Sequence, residues 1–271
     1  MEASQSVRIL VIGAHPDDAE FHAGALLTRH AARGATIRIV SVTDGRSGHQ
    51  SIPSEELVAV RRLEAKNAGA IINADYVTWD FPDGSLTSSL EVRHAIIREI
   101  RTFKPELVLT HRTVDYHPDH RAVAQAVQDA SYMVRVPKVV PDAPVVDRDP
   151  IVASMNDRFT RPCPLRPDYV IDGSSEFQSV LKMMDCHRSQ FYDWMPWIDR
   201  SPPPESMEPE ARLKWLEKWV TEFNAYRAKA FWKTAFGPPP IHIEAFEISE
   251  YAGILSDAQA VRLFPDAIAT F

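Results

Sequence analysis

Apolar positions in the first half of the chain fall into short β-branched runs separated by amphipathic stretches. The run at 7–12 ends on Gly13, the run at 36–43 has the same character, and 106–110 is a shorter version. Such runs, bounded by turn residues, predict strands. Between them the apolar spacing predicts helices near 18–33, from Ser54, over 88–103, and after His120 to about Met133. Ser54 precedes Glu55 and Glu56, an N-cap followed by first-turn acids. A further strand is expected at 76–79, followed by a turn at Pro82-Asp83-Gly84. Strand and helix in alternation imply an α/β fold, a mostly parallel sheet with helices on both faces.

The second half is less regular. Prolines crowd 137–167, 196–209 and 238–240, which together hold 15 of the chain's 21. Apolar patterning resumes after each segment, so they read as excursions within a single domain spanning 1–271. Strands are expected at 169–171 and 241–248, and Ser175 with Gln178 reads as a capping box opening a helix. On a helix near 208–230, Leu213, Leu216, Val220 and Phe223 form one stripe, with Trp215, Trp219 and Tyr226 beside it. That face is wider than one core contact needs. Core packing, an aromatic pocket wall and a subunit contact all fit it, and a homo-oligomer is expected on this ground.

Composition narrows the function classes. A net charge of −7 with no Lys/Arg cluster argues against nucleic acid as a partner. No apolar run approaches the ~20 residues of a membrane span. Residues 1–6 lack the features of a signal peptide, so a cytoplasmic location is expected. Cys163 and Cys186 are too few for a disulfide framework and read as small buried hydrophobes.

The chemistry lies in a repeated tripeptide. His15-Pro16-Asp17 is followed by Asp18, and His117-Pro118-Asp119 by His120, with 102 positions between the first histidines. Each copy sits at a predicted strand-to-helix turn, the place where open α/β sheets bind ligands. His15, His120 and one aspartate of the 17–18 pair would give a metal two imidazoles and a carboxylate, leaving a position open. The spacing does not tell which aspartate ligates; the other is free to take a proton from a metal-activated water. His117 is the candidate for oxyanion stabilisation, with Asp119 fixing its ring. Zinc is the first metal expected, with Fe²⁺ or another divalent ion compatible with the same donors.

The stretch Ala14-His15-Pro16-Asp17-Asp18-Ala19-Glu20, with His117-Pro118-Asp119-His120, resembles the PIG-L/LmbE-like family of zinc-dependent de-N-acetylases. Thr43-Asp44-Gly45, Arg61-Arg62-Leu63-Glu64-Ala65, His187-Arg188-Ser189-Gln190 and Glu244-Ala245-Phe246 extend the resemblance over most of the chain. It implies a Rossmann-like fold and zinc on His15, Asp18 and His120. It further implies Asp17 as general base, His117 as electrostatic catalyst, and Arg61 and Asp83 near substrate. The activity it implies is removal of an N-acetyl group from an N-acetylglucosamine-containing small molecule or glycoconjugate. An amidase on a non-sugar conjugate, a non-haem Fe(II) oxygenase and a silent carbohydrate-binding protein are the alternatives. The chain departs from the family pattern at His22, which is expected on the helix surface, at Arg46, and at Tyr116, which stands next to His117 rather than two residues before the second motif.

Overall fold

The computed structural model describes residues 6–270, so the N-terminal segment considered for a signal peptide lies almost wholly outside it. The strands are β1 (Arg8–Gly13), β2 (Thr36–Thr43), β3 (Asp75–Phe81), β4 (Leu107–Thr110), β5 (Ile151–Met155), β6 (Tyr169–Asp172), β7 (Ile243–Ile248) and β8 (Ile268–Ala269). The helices are α1 (Asp18–Ala32), α2 (Ser54–Ile71), α3 (Leu90–Phe103), α4 (Pro118–Met133), α5 (Phe177–Cys186), α6 (Met195–Asp199), α7 (Pro209–Phe231) and α8 (Asp257–Leu263). Among the described residues these strands make one sheet, in the order β3-β2-β1-β4-β5-β7-β6-β8. The first five pair in parallel, and β7, β6 and β8 extend the sheet in antiparallel fashion. The fold is thus the mixed, mostly parallel α/β sheet that the alternation predicts. No helix among the described residues is long and apolar enough to cross a membrane.

Two apolar layers cover the sheet. Ile9, Val11, Ile39, Leu107 and Leu109 face one of them with α1, α5 and α7, while Leu10, Ile12, Val40 and Val108 face the other with α3 and α4. Residues alternate between the faces because strand side chains do. With both faces buried, β1 and β4 read as continuous apolar runs rather than alternating ones.

The sequence misplaces some elements. β5 lies inside the Pro-rich 137–167 segment, where its short run is masked by flanking prolines. The capping box at 175–178 does not form: α5 starts at Phe177, with Glu176 rather than Ser175 at its N-cap and no side-chain cap, and Glu176 pairs with Arg29 at 2.9 and 3.1 Å. Cys163 is exposed and Cys186 half-buried, so neither is a core residue.

The expected stripe on α7 is also redistributed. Its buried line is Arg212, Leu216, Val220, Asn224, Arg227 and Phe231, with Leu213 and Phe223 on its flanks. Three polar residues enter the interior because each finds a partner. Arg212 pairs with Asp185 at 2.8 and 2.9 Å, Asn224 meets His242 at 2.9 Å, and Arg227 donates to the Phe21 carbonyl at 2.8 Å. Of the aromatic residues beside that line, Tyr226 is exposed, Trp215 is half-buried, and the half-buried Trp219 and Phe223 line a cavity described below.

Arg227 and Glu244 both bind the backbone of α1. Ala25 and Leu26 donate to the two Glu244 oxygens at 2.6 and 2.9 Å, and the Phe21 carbonyl accepts from Arg227 at 2.8 Å. Burial pushes the Arg227 guanidinium down to about 10, and the Glu244 charge opposes that. Glu244 is fully buried, and removing its carboxylate takes away an acceptor shared by two buried backbone N–H groups, a loss of about 1–3 kcal/mol. Glu244→Ala should therefore lower stability by about that amount in urea unfolding, and a loss below about 0.5 kcal/mol would show that this carboxylate is dispensable to the fold.

Candidate active site

Parallel pairing sets the geometry. β1 lies between β2 and β4, so the strand order reverses at the β1/β4 boundary, the topological switch point of an open α/β sheet. The register places Ile12 opposite Thr110. Both His-Pro-Asp corners therefore emerge from the carboxyl ends of neighbouring strands. They meet in a cavity of about 580 Å³ lined by His15, Asp17, Asp18, His117 and His120, among others.

His15 Nδ1 lies 3.2 Å from His120 Nε2 and 3.7 Å from Asp18 Oδ2, and His120 Nε2 lies 3.5 Å from Asp18 Oδ1. Four tetrahedral ligands held at ~2.0–2.1 Å from zinc are spaced roughly 3.3 Å apart. The atom types suit a divalent ion and the spacing is near that, with His15 closest to one Asp18 oxygen and His120 to the other; His15, His117 and His120, and Asp18, His111 and His120, are also grouped closely enough to hold one. The other nitrogen of each imidazole faces carboxylate. His15 Nε2 lies 3.1 Å from Asp83 and 3.3 Å from Asp119, and His120 Nδ1 lies 3.1 Å from Asp115, though out of line for a hydrogen bond. Carboxylates behind ligand histidines are the usual means of fixing ring orientation at metal sites. Burial alone would lower the His15 pKa, but Asp119 and Asp83 carry it well above its ordinary value.

Asp18 is held from behind. Its Oδ2 accepts from the backbone N–H groups of Ala14 and His15 at 2.8 and 2.7 Å, and His111 Nε2 approaches it at 3.0 Å. A side chain at position 13 would press on Asp18, since a Cβ there would sit 3.0 Å from the Asp18 Cβ and push that carboxylate out of its place. Burial would raise the Asp18 pKa, yet the His111 and His120 charges hold it well below the usual carboxylate range. His111 stacks on His120 with ring centroids 4.0 Å apart. Sequence reasoning missed His111 and Asp115; the only signal was their position between β4 and the second motif.

Asp17 has the opposite environment. Among the described residues its carboxylate accepts no hydrogen bond. Burial and the Asp18 charge push it up to about 7, against Arg61, His187 and His15. Its φ of 121° lies in a region that favours glycine, and strain of this kind costs about 1–3 kcal/mol and concentrates at functional sites.

His117 is the N-cap of α4, and its Nδ1 accepts from the Asp119 N–H at 3.2 Å. Burial and the neighbouring His15 and His120 lower its pKa to about 4, so the ring is neutral near pH 7. With Nδ1 accepting, the proton belongs on Nε2. Asp119 meets the His117 ring through its backbone N–H and not through its carboxylate. Its carboxylate accepts from Gly84 and Leu86 at 2.7 and 3.1 Å and faces His15.

Arg61 and Asp83 both line the cavity. Asp83 is nevertheless engaged with His15 and the Ser47 N–H, and Arg61 with the Gly48 carbonyl and Gln190. Ser189 donates twice to Glu64, at 2.8 and 2.6 Å, and His187 meets Glu20 at 2.8 Å. The 61–65 and 187–190 stretches thus bind each other under the cavity. His22 faces the cavity rather than the outer helix surface, and burial, with Arg227 nearby, lowers its pKa to about 3. Tyr116 lies edge-on to both His117 and His120, each at 5.6 Å.

The family described as PIG-L, GlcNAc-PI de-N-acetylase, matches residues 10–131. An uncharacterized deacetylase of Escherichia coli, YaiS, is 34% identical over 134 residues, covering 46% of this chain and 68% of that protein. The chain belongs to the PIG-L family. The diacetylchitobiose deacetylase of Thermococcus kodakarensis, 26% identical over 203 residues, covers 70% of this chain and 74% of its own length. The solved structure of GalB, the 4-carboxy-2-hydroxymuconate hydratase of Pseudomonas putida, matches at 19% identity with a TM-score of 0.68, covering 93% and 98% of the two chains. That likeness shows the fold alone, and a fold by itself does not fix an activity. Function has to be argued from the residues at the switch point.

The strain at Asp17 can be isolated from its chemistry. Asp17→Gly should be more stable than Asp17→Ala by about 1–2 kcal/mol, since only glycine adopts this φ without cost. Equal melting temperatures for the two variants would remove strain from the account of this corner.

Proposed function

We propose that this PIG-L family member is a metal-dependent deacetylase that removes an N-acetyl group from a small amide, with an N-acetylated amino sugar the first substrate to try. The observation that carries the reading is the approach of His15 Nδ1, Asp18 and His120 Nε2 to within 3.7 Å of one another, beside the otherwise unpartnered Asp17 carboxylate. The diacetylchitobiose deacetylase similarity supports the substrate class.

In this reading His15, Asp18 and His120 hold a divalent ion, zinc first, which when bound supplies Lewis acidity to water and to the amide carbonyl. Asp17 takes the proton from the attacking water, a role suited to a carboxylate that gives its charge up readily near neutrality. His117 offers its Nε2–H to the negative charge that develops on the carbonyl oxygen. Asp83 and Asp119 keep His15 turned with Nδ1 toward Asp18 and His120. Arg61, anchored on Gly48 and Gln190, holds the loop that forms one side of the cavity.

Two measurements test this. Elemental analysis of His15→Ala and His120→Ala should show metal lost relative to wild type, and full occupancy in both would overturn the ligand assignment. Asp17→Asn should keep its metal while acetate release from N-acetylated sugars falls about 10²–10⁴-fold. Metal lost in Asp17→Asn but retained in Asp18→Asn would mean that the two aspartates exchange roles.

A further inference from the structure

Beyond its His/Asp floor, the cavity has a wall that acetyl removal alone does not explain. Phe21, Phe159, Phe191, Trp194, Trp219 and Phe223 all line it. Only Phe21 comes from the segment matched by the family; the other five lie beyond residue 131. Trp219, Glu222 and Phe223 share one face of α7, being three and four positions apart. Phe191 and Trp194 lie on a π-helical turn, Ser189–Trp194, of a kind often found at functional sites.

The rings are held in place before any ligand arrives. The Arg227 guanidinium, itself fully buried, lies 4.6 Å from the Phe21 ring centre and 5.1 Å from that of Phe223. Phe21 meets Phe223 edge-on at 4.7 Å, and Trp219 stacks on Phe223 at 6.1 Å with 23° between the planes. Phe191 meets Trp219 edge-on at 5.8 Å. Arg227 is in turn fixed by the α1 carbonyl that it caps. An apolar surface immobilised in this way loses little side-chain entropy when a ligand packs on it.

We infer that the enzyme selects N-acetyl amines that carry an aromatic group on the amine side, and that Trp219 and Phe223 are the specificity-determining residues that receive it. This rests on the deacetylase reading above. If the acyl group is acetyl, it fills a small part of a cavity of about 580 Å³, a size usual for ligands of drug-like dimensions. The remainder faces the amine half. A bare sugar would leave much of this ring surface in contact with water, whereas a flat aryl group gains offset and edge-to-face contacts with the rings. A flexible alkyl chain gains the burial without those contacts, and loses more rotational freedom. The exposed Arg158, Asp199 and Glu222 also line the cavity and supply polar partners for the rest of the amine.

The test uses the metal-loaded full chain with three probes: N-acetylglucosamine, its benzyl glycoside and its n-hexyl glycoside. Acetate release gives kcat/KM for each, and quenching of tryptophan fluorescence gives the affinity for the matching deacetylated amines. The benzyl compounds should exceed the unsubstituted ones about tenfold or more in both readouts, with the hexyl compounds between. The benzyl advantage should fall toward unity in Trp219→Ala and Phe223→Ala, whose folding is checked by circular dichroism. A hexyl advantage equal to the benzyl one, a ratio near unity in wild type, or an advantage retained in both variants would each overturn the inference. If no probe releases acetate but the quenching preference persists and depends on Trp219, the deacetylase reading fails and the aromatic subsite stands. Acetate released without aromatic preference overturns the subsite alone.

Discussion

The parallel pairing of β1 with β4 is the constraint on which the site depends. Because Ile12 lies opposite Thr110, the two strands end together, and the loops that follow them cannot avoid one another. The Thr110 hydroxyl donates to the Ile12 carbonyl at 3.0 Å, and Thr43 closes the far side by donating from both its N–H and its hydroxyl to the Ala14 carbonyl, at 2.9 and 2.7 Å. This stitched edge leaves the Ala14 and His15 N–H groups pointing at a single oxygen of Asp18. A carboxylate held by two backbone donors and approached by an imidazole has little freedom to turn, so its other oxygen stays directed at His120.

Neighbouring aspartates at one corner then acquire opposite properties. Asp18 has donors and histidines around it and stays ionised, while Asp17 is buried on a strained backbone with the Asp18 charge beside it and is pushed toward neutrality. Environments that drive two carboxylates apart in this way are a familiar basis for dividing structural and proton-transfer roles. The same contrast separates the histidines: His15 is backed by two carboxylates, whereas His117 has a backbone donor on Nδ1 and a lowered pKa.

The second half of the chain serves this edge from two directions. The 187–190 stretch locks α1 and α2 beneath the cavity, through the contacts of His187 with Glu20 and of Ser189 with Glu64. α7 contributes aromatic rings to the wall and, through Arg227, a cap for a backbone carbonyl of α1. The His/Asp floor and the aromatic wall are therefore mechanically joined at Phe21, whose carbonyl is held by the same guanidinium that lies over its ring.

Most of the parallel half was legible because its elements obey local rules. Continuous β-branched runs bounded by turns marked β1, β2 and β4, and the twin His-Pro-Asp strings named the groups that meet where those strands end. Both depend on residues close together in sequence. The backbone neighbours of each motif, and so the cap and charge candidates at each corner, were equally fixed by the chain itself. Contacts between distant segments were not. His111, Asp115 and the attachment of Asp119 to His15 follow from the crossing of two loops, and nothing in their spacing encodes a distance across that gap. Arg212, Asn224 and Arg227 lie outside the apolar stripes that the sequence marks; burial of a polar group is decided by its partner, and Asp185, His242 and the Phe21 carbonyl lie 27, 18 and 206 positions away. Only the folded chain could turn His22 and Trp219 toward the cavity, since a helical stripe tells which residues share a face and not what that face will meet.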